Sequence, residues 1–326
     1  MPTSFTELPV IQGQPLEIRP NRHLSITHHA GTTQPDTVVF FCHGAGGNKD
    51  QWRHQWQSLK TQGYSLVAWD LLGHGASAKP RNPEAYAWPE LVADYLEILR
   101  RYGGSRNLIV AHSFGTGLTL SALLAKPAIP IEAVLLLGTR LHSISRSGGL
   151  MRLPAWLLEC LRPLLAKGFR QAAWNAKADP ALVAYEEKLT ERNPLYMFKA
   201  LMKNVQWPDA NALLTLTLPV SVLAGDTDGL TPASGGEALA RHLPNAEYQL
   251  LPECGHQLML EKPDEVLAAF QRLLSAQRDA VSSAHGRGRT ARRAVAPAAG
   301  FLAGPARQTT PGYSPGPSPC SPMFPN

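Results

Sequence analysis

Ala111-His112-Ser113-Phe114-Gly115 is the stretch on which the reading of this 326-residue chain turns. It sets a serine between two very small residues, after the apolar run 107–111 (Asn-Leu-Ile-Val-Ala) and before Gly115 to Leu124, which carries apolar residues at helical spacing. A serine at the tip of a sharp strand-to-helix turn has a strained backbone, and its neighbours two positions away on each side pack together with little room for side chains. Those neighbours are Ala111 and Gly115. The usual pattern has glycine at both places, so Ala111 departs from it by one methyl group. A small-x-Ser-x-Gly string standing alone also fits an ordinary tight turn, so the neighbouring segments decide.

They agree with it. Val38 to Phe41 is a β-branched and aromatic run that reads as a buried strand, and it feeds Cys42-His43-Gly44-Ala45-Gly46-Gly47. The glycines leave backbone N–H groups accessible, so this loop can supply half of an oxyanion hole, with Ala45 as the donor. The other half is the N–H of Phe114, the residue after the serine. A phosphate-binding loop is the rival reading, but neither G-x-G-x-x-G nor Gly-Lys-Ser/Thr occurs here, and nucleotide binding drops out. A further strand, Tyr64 to Asp70, ends in the abrupt turn Leu71 to Ser77, in which His74 reads as architecture.

Two polar loops follow later strands. After Pro219 to Ala224 comes Gly225-Asp226-Thr227-Asp228-Gly229-Leu230-Thr231-Pro232, and after Glu247 to Leu251 comes Glu253-Cys254-Gly255-His256-Gln257. Both lie where ligands bind in an open α/β sheet, beyond the ends of parallel strands. A serine hydroxyl is a weak nucleophile. It needs a base, His256, and a carboxylate that holds the imidazole in one tautomer. Asp228 is the preferred carboxylate because Pro232 follows it four residues later, and Asp226 stands as its rival. Of eleven histidines, only His43, His112 and His256 occupy motif positions.

Phe41 to Gly47, Asp70 to Ala76, Ala111 to Gly115, Gly225 to Pro232 and Gly255-His256, in this order and spacing, resemble the α/β-hydrolase family over about residues 20 to 277. Gly63-Tyr64, Asp70-Leu71, Gly73 to Ser77, Arg101-Tyr102 and Arg106-Asn107 are similar to its abhydrolase-domain group of serine hydrolases. The resemblance implies an α/β fold with an eight-stranded, mostly parallel sheet flanked by helices, and a helical cap after strand six. It also implies Ser-Asp-His catalysis (Ser113, Asp228, His256) without cofactor or metal. Members with aspartate as nucleophile are dehalogenases and epoxide hydrolases, and Ser113 argues against both. The expected organisation is an N-terminal extension (1–21), a core (22–140 and 217–277), a cap (141–216) and a disordered tail (278–326).

Composition is consistent with this. At 44% hydrophobic content the chain can bury one large core, and no stretch suits a bilayer span. The first residues lack a basic segment followed by an apolar core, and the four cysteines are scattered, which favours free thiols; a soluble, cytoplasmic protein is the expectation. Of the net charge of +6, residues 279–326 contribute +4, five arginines against Asp279. The Pro/Gly/Ala-rich setting and the absence of interleaved aromatics make that stretch a solvated tail rather than a nucleic-acid contact.

About eighty residues separate the strand Glu132 to Leu137 from Pro219. In them Leu153, Trp156, Leu157, Cys160, Leu161, Leu164 and Leu165 form a helical stripe bent at Pro163, and Leu195, Tyr196, Met197, Phe198, Leu201, Met202 and Trp207 form a second apolar cluster. The stripe either packs on the core, lines an acyl pocket or touches a membrane surface; a lid of this kind suits a lipophilic acyl substrate. The expected chemistry is ester or thioester hydrolysis. Carbon–carbon cleavage or acyl transfer on the same triad, and a non-catalytic scaffold, stand as alternatives. Oligomeric state is left open.

Overall fold

Strands that read as unbroken apolar runs are buried on both faces of a parallel sheet, with helices covering each side. The computed structural model describes residues 5–142 and 153–275 and places eight strands in one sheet. They are β1 (Gln14–Arg19), β2 (Arg22–His29), β3 (Gln34–Cys42), β4 (Tyr64–Trp69), β5 (Arg106–His112), β6 (Ala133–Leu137), β7 (Val220–Gly225) and β8 (Ala246–Leu251). The spatial order is β1-β2-β4-β3-β5-β6-β7-β8. β1 pairs antiparallel with β2, and β2 with β4; every other pairing is parallel. β4, β6 and β7 are buried along their whole length, whereas β1 and β8, at the two edges, are largely open.

The expected boundary at residue 22 falls inside this sheet. β1 lies within the supposed extension, Phe5 and Ile11 are buried in the core, and the Ile11 N–H donates to Asp50. A short edge strand carrying Pro15 and polar residues leaves little apolar period to detect, so the sequence conceals it.

Alternation along each strand sends its side chains to two cores. Val38, Phe40 and Cys42 face one of them, together with Leu91, Tyr95 and Ile98 of α2 (Trp88–Tyr102), Leu118 of α3 (Phe114–Leu124) and Leu239 of α9 (Ala233–His242). Val39 and Phe41 face the other, against Trp56 and Leu59 of α1 (Arg53–Thr61) and the helix 263–275, α11. Val266, Ala269, Phe270, Leu273 and Leu274 of α11 recur at helical spacing and form its buried face. The short α10 (Leu258–Glu261) precedes it.

Between β6 and β7 come α4 (Ala155–Cys160), α5 (Arg162–Ala173), α6 (Pro180–Thr190), α7 (Leu195–Asn204) and α8 (Ala210–Leu213). The stripe expected as one bent helix is two. α4 ends at Leu161, and Pro163 sits in the first turn of α5, where its missing N–H has no helical partner to lose. Leu158 is buried, while Trp156 and Leu164 are 68% and 66% exposed, so this stripe is mostly not a packing face. The second cluster packs better: Met197 and Leu201 are buried with the core that holds Phe40. Inserted helices enter both cores, since Ala173, Trp174, Leu182 and Val183 belong to the Phe41 side. The arginine-rich stretch and residues 143–152 of the expected cap lie outside the described residues.

Candidate active site

The strand order reverses around β3: the chain runs from β3 to β4 on one side and then crosses to β5 on the other. Loops leaving β3 and β5 therefore diverge and open a crevice at the strand ends, the usual ligand position in an open α/β sheet. Ser113 follows β5 directly and has φ 52° and ψ −120°, the strained backbone of a tight strand-to-helix turn. Such a conformation costs on the order of 1–3 kcal/mol and persists only where the surroundings impose it. Here the Ser113 N–H donates to the Leu137 carbonyl at the end of β6, and α3 begins at Phe114. Gly115 is required by close approach, because a Cβ there would lie 2.5 Å from the His43 carbonyl and 2.8 Å from that of Cys42. The departure at Ala111 is accommodated: it is fully buried inside β5.

Three separated loops bring Ser113, His256 and Asp228 together. Ser113 Oγ lies 2.9 Å from His256 Nε2, and His256 Nδ1 lies 2.8 Å from Asp228 Oδ2. Asp228 also accepts from the N–H groups of Leu230 and Thr231 on Oδ1, and from Thr231 Oγ1 on Oδ2 at 2.6 Å. Burial pushes its carboxyl up, but the bonds from His256 and Thr231 outweigh this and hold it below the ordinary carboxylate range. An ionised Asp228 is an acceptor only, so it accepts a hydrogen bond from Nδ1–H, and in that tautomer the Nε2 lone pair faces the serine hydroxyl. Asp226 is exposed, and its carboxylate accepts from the Cys254 N–H, so it braces the histidine loop from outside.

The expected oxyanion donors, Ala45 and Phe114, belong to the loop after β3 and to the start of α3. Phe114 is the first residue of α3, where N–H groups have no partner within the helix. Gly44, next to Ala45, approaches the serine so closely that a Cβ on it would stand 2.8 Å from Ser113 Cβ. A buried polar network fixes this loop. His43 Nδ1–H donates to the Gly44 carbonyl, and its Nε2 accepts from the Leu71 N–H. His74 Nδ1–H donates to the Leu72 carbonyl, and its Nε2 accepts from the Gly46 N–H at 3.0 Å. Each ring must be neutral to play both parts. Burial lowers His43 to about 4 and His74 to about 3, in keeping with that. Asp70 accepts from the Lys49 N–H, Lys49 Nζ and the Ala76 N–H, which ties the loops after β3 and β4 together. His112, also buried and lowered to about 3, donates through Nε2 to the His256 carbonyl at 2.8 Å.

The inserted helices reach the same loops. The Gly229 and His256 N–H groups donate to the carbonyls of Ala172 and Ala173 at the end of α5, and Asn175 Nδ2 donates to Thr227 Oγ1. Glu261 accepts from the N–H groups of Asn175, Gly255 and Gln257. A cavity of about 580 Å³ lined by Arg170, Trp174, Asn175, Pro180, Val183 and Thr227 borders the acid loop but includes none of Ser113, Asp228 and His256. Among the described residues no cluster of three or more His, Cys, Asp or Glu is arranged to hold a metal, and no helix is long and apolar enough to cross a membrane.

Lys49, Asp70, Thr231, Glu261 and Asn193 have no role in the site that is read from the sequence. Thr231 carried a signal, since a threonine three residues after an aspartate commonly bonds that carboxylate across a turn. Asp70 carried a weaker one, as a charge at the end of an apolar strand. Glu261 carried none, because its partners are backbone N–H groups, and Asn193 none, because the Gly46 carbonyl it holds is 147 residues away.

Comparison with known proteins agrees with this fold. The model of the alpha/beta hydrolase family matches residues 39–269. Protein ABHD8 of Homo sapiens is 30% identical over 236 residues, 72% of this chain and 54% of that protein, so the chain spans about half the length of that relative. The putative carbamate hydrolase RutD of Caulobacter vibrioides is 26% identical over 260 residues, 74% of this chain and 93% of that one. An esterase from Exiguobacterium antarcticum superposes with a TM-score of 0.70 at 17% identity, covering 80% of this chain and 99% of that structure. Strand order, elbow and family model converge: the chain belongs to the α/β-hydrolase family.

Proposed function

We propose that the protein is a serine hydrolase that cleaves an ester or thioester of a lipophilic small substrate, with Ser113 as nucleophile, His256 as base and Asp228 as its orienting carboxylate. The observation that carries this reading is the continuous chain Ser113 Oγ, His256 Nε2, His256 Nδ1, Asp228 Oδ2, with contacts of 2.9 and 2.8 Å. In the first step Nε2 takes the hydroxyl proton as Oγ attacks the carbonyl carbon. The oxyanion that forms is held by the N–H groups of Ala45 and Phe114, donors of a kind worth about a hundredfold or more in rate. The proton on Nε2 then passes to the leaving oxygen or sulfur, and the acyl group stays on Ser113. Water, deprotonated by His256, attacks the acyl-enzyme and releases the acid. The lipophilic preference is supported by the inserted helices, which act as the cap: Phe198 of α7 lies 3.8 Å from where a Gly46 Cβ would stand, and Met197 packs against Gly73.

Hydrolysis of p-nitrophenyl esters of graded acyl length, by wild type and Ser113→Ala, tests the reading. Wild type is expected to turn over at least one ester, and Ser113→Ala to lose about 10⁴-fold or more. Equal rates in the two proteins would remove Ser113 from the chemistry.

A further inference from the structure

The loop carrying Ala45 is gripped by the inserted helices at a single peptide. The Gly46 carbonyl accepts from Asn193 Nδ2 at 2.8 Å and from Thr190 Oγ1 at 3.4 Å. Asn193 Oδ1 in turn accepts from the Gly75 N–H at 3.1 Å, so one amide side chain bridges the loops that follow β3 and β4. Asn193 is 5% exposed, and its own backbone is fixed: its N–H donates to the Thr190 carbonyl, and its carbonyl accepts from Arg162.

These contacts bear on the Ala45 N–H. The Gly44–Ala45 peptide is planar and trans, so its N–H points opposite to the Gly44 carbonyl. That carbonyl is drawn into the turn by His43 Nδ1 at 2.7 Å and the Gly47 N–H at 3.1 Å, which leaves the Ala45 N–H directed out of the turn. The Gly47 N–H that holds this carbonyl lies on the same planar peptide as the Gly46 carbonyl, so the turn stays closed only while that peptide is fixed. Gly46 is held on both sides: its N–H by His74, its carbonyl by Asn193, and its φ of +85° is one that favours glycine. His74 comes from the core and Asn193 from the insertion, so the aim of the donor is set jointly by both.

We infer that Asn193 is a positioning residue for the hydrolysis: by holding the Gly46 carbonyl it keeps the Ala45 N–H aimed at the developing oxyanion. The inference rests on the serine-hydrolase reading above and assigns the insertion a part in the chemical step beyond covering the substrate.

The test uses Asn193→Ala, which removes both contacts, and Asn193→Asp, whose carboxylate keeps an acceptor for the Gly75 N–H but has no donor for the Gly46 carbonyl. Active serines are first titrated with a fluorophosphonate, so that misfolded protein is not counted. Per titrated serine, both variants are expected to lose about 10- to 100-fold in kcat on a p-nitrophenyl ester with KM within about twofold, as misaimed catalytic groups do. Affinity for phenylboronic acid, which forms a tetrahedral anion on serine, should fall in parallel. If kcat and boronic-acid affinity per titrated serine are unchanged, Asn193 only supports the fold and the inference is overturned. A wild-type Asn193→Asp beside an impaired Asn193→Ala would overturn it as well, by placing the effect at Gly75. Should Asn193→Ala not fold, Asn193→Asp alone decides. Wild type that neither labels nor hydrolyses esters would instead remove the serine-hydrolase reading, and this inference with it.

Discussion

Asp70 and Asp228 are the same group in the same kind of place, a buried carboxylate just beyond a parallel strand, and their partners differ in one respect. Both accept backbone N–H bonds, and both are held below the ordinary carboxylate range although burial works against it. Asp70 ends on the Lys49 ammonium at 2.8 Å, which also donates to Ser25 Oγ. Asp228 ends on an imidazole whose other nitrogen meets a serine hydroxyl. A carboxylate paired with an ammonium is a brace. One paired with an imidazole orients that ring and stabilises the charge it gains on accepting a proton at its other nitrogen. The site thus has two sides, a row of side chains ending at Asp228 and a pair of backbone loops tied through Asp70.

The largest expected effect separates these sides. Asp228→Asn should lower turnover about 10⁴-fold with the fold retained, because an amide favours the wrong imidazole tautomer. Asp226→Asn, altering an exposed side chain, should leave turnover within a fewfold. Steady-state kinetics on one ester checks both. Equal losses in the two variants would erase the distinction drawn between the aspartates. Next comes Asp70→Ala, which should cost about 3–5 kcal/mol in urea unfolding, since it leaves the Lys49 ammonium buried without its counter-charge. A loss under about 1 kcal/mol would mean that Asp70 is not the brace.

The smallest effect is one of pH and belongs to the loop side. His43 and His74 are lowered to about 4 and about 3 in the folded protein, against 6.5 for the free group. Between those values the unfolded chain binds protons that the folded one does not. Their contribution is therefore complete above pH 6.5 and declines as pH falls toward the folded values, by about 1.4 kcal/mol per pH unit for each proton. His74→Gln keeps an acceptor for the Gly46 N–H and should flatten the urea-stability profile between pH 4 and 6.5 by about one proton. An unchanged slope would show that His74 is not titrating out of the folded state.

This difference also explains what was legible in the sequence. The elbow at Ser113 is a local device whose small neighbours and flanking strand and helix are adjacent in the chain. Asp228 and His256 stand in loops just after strands, so position along the chain translated into position at the sheet edge. Pro232 follows both Asp226 and Asp228 closely, whereas the contact that separates them, with His256, joins residues 28 apart. The loop side was legible only as glycines. Lys49 to Asp70, His74 to Gly46 and Asn193 to Gly46 span 21, 28 and 147 residues, and no period or turn signal encodes such pairings. The first strand was hidden for a related reason: an edge strand largely open to solvent lacks the apolar run that marked β3 to β7.

Labelling by a fluorophosphonate, with the modified residue mapped by mass spectrometry in wild type and in His256→Ala, tests the central claim most directly. The account predicts a single adduct on Ser113 that forms readily in wild type and is lost, or slowed by orders of magnitude, without His256. Folded wild type that stays unlabelled, or an adduct on another residue, would contradict it.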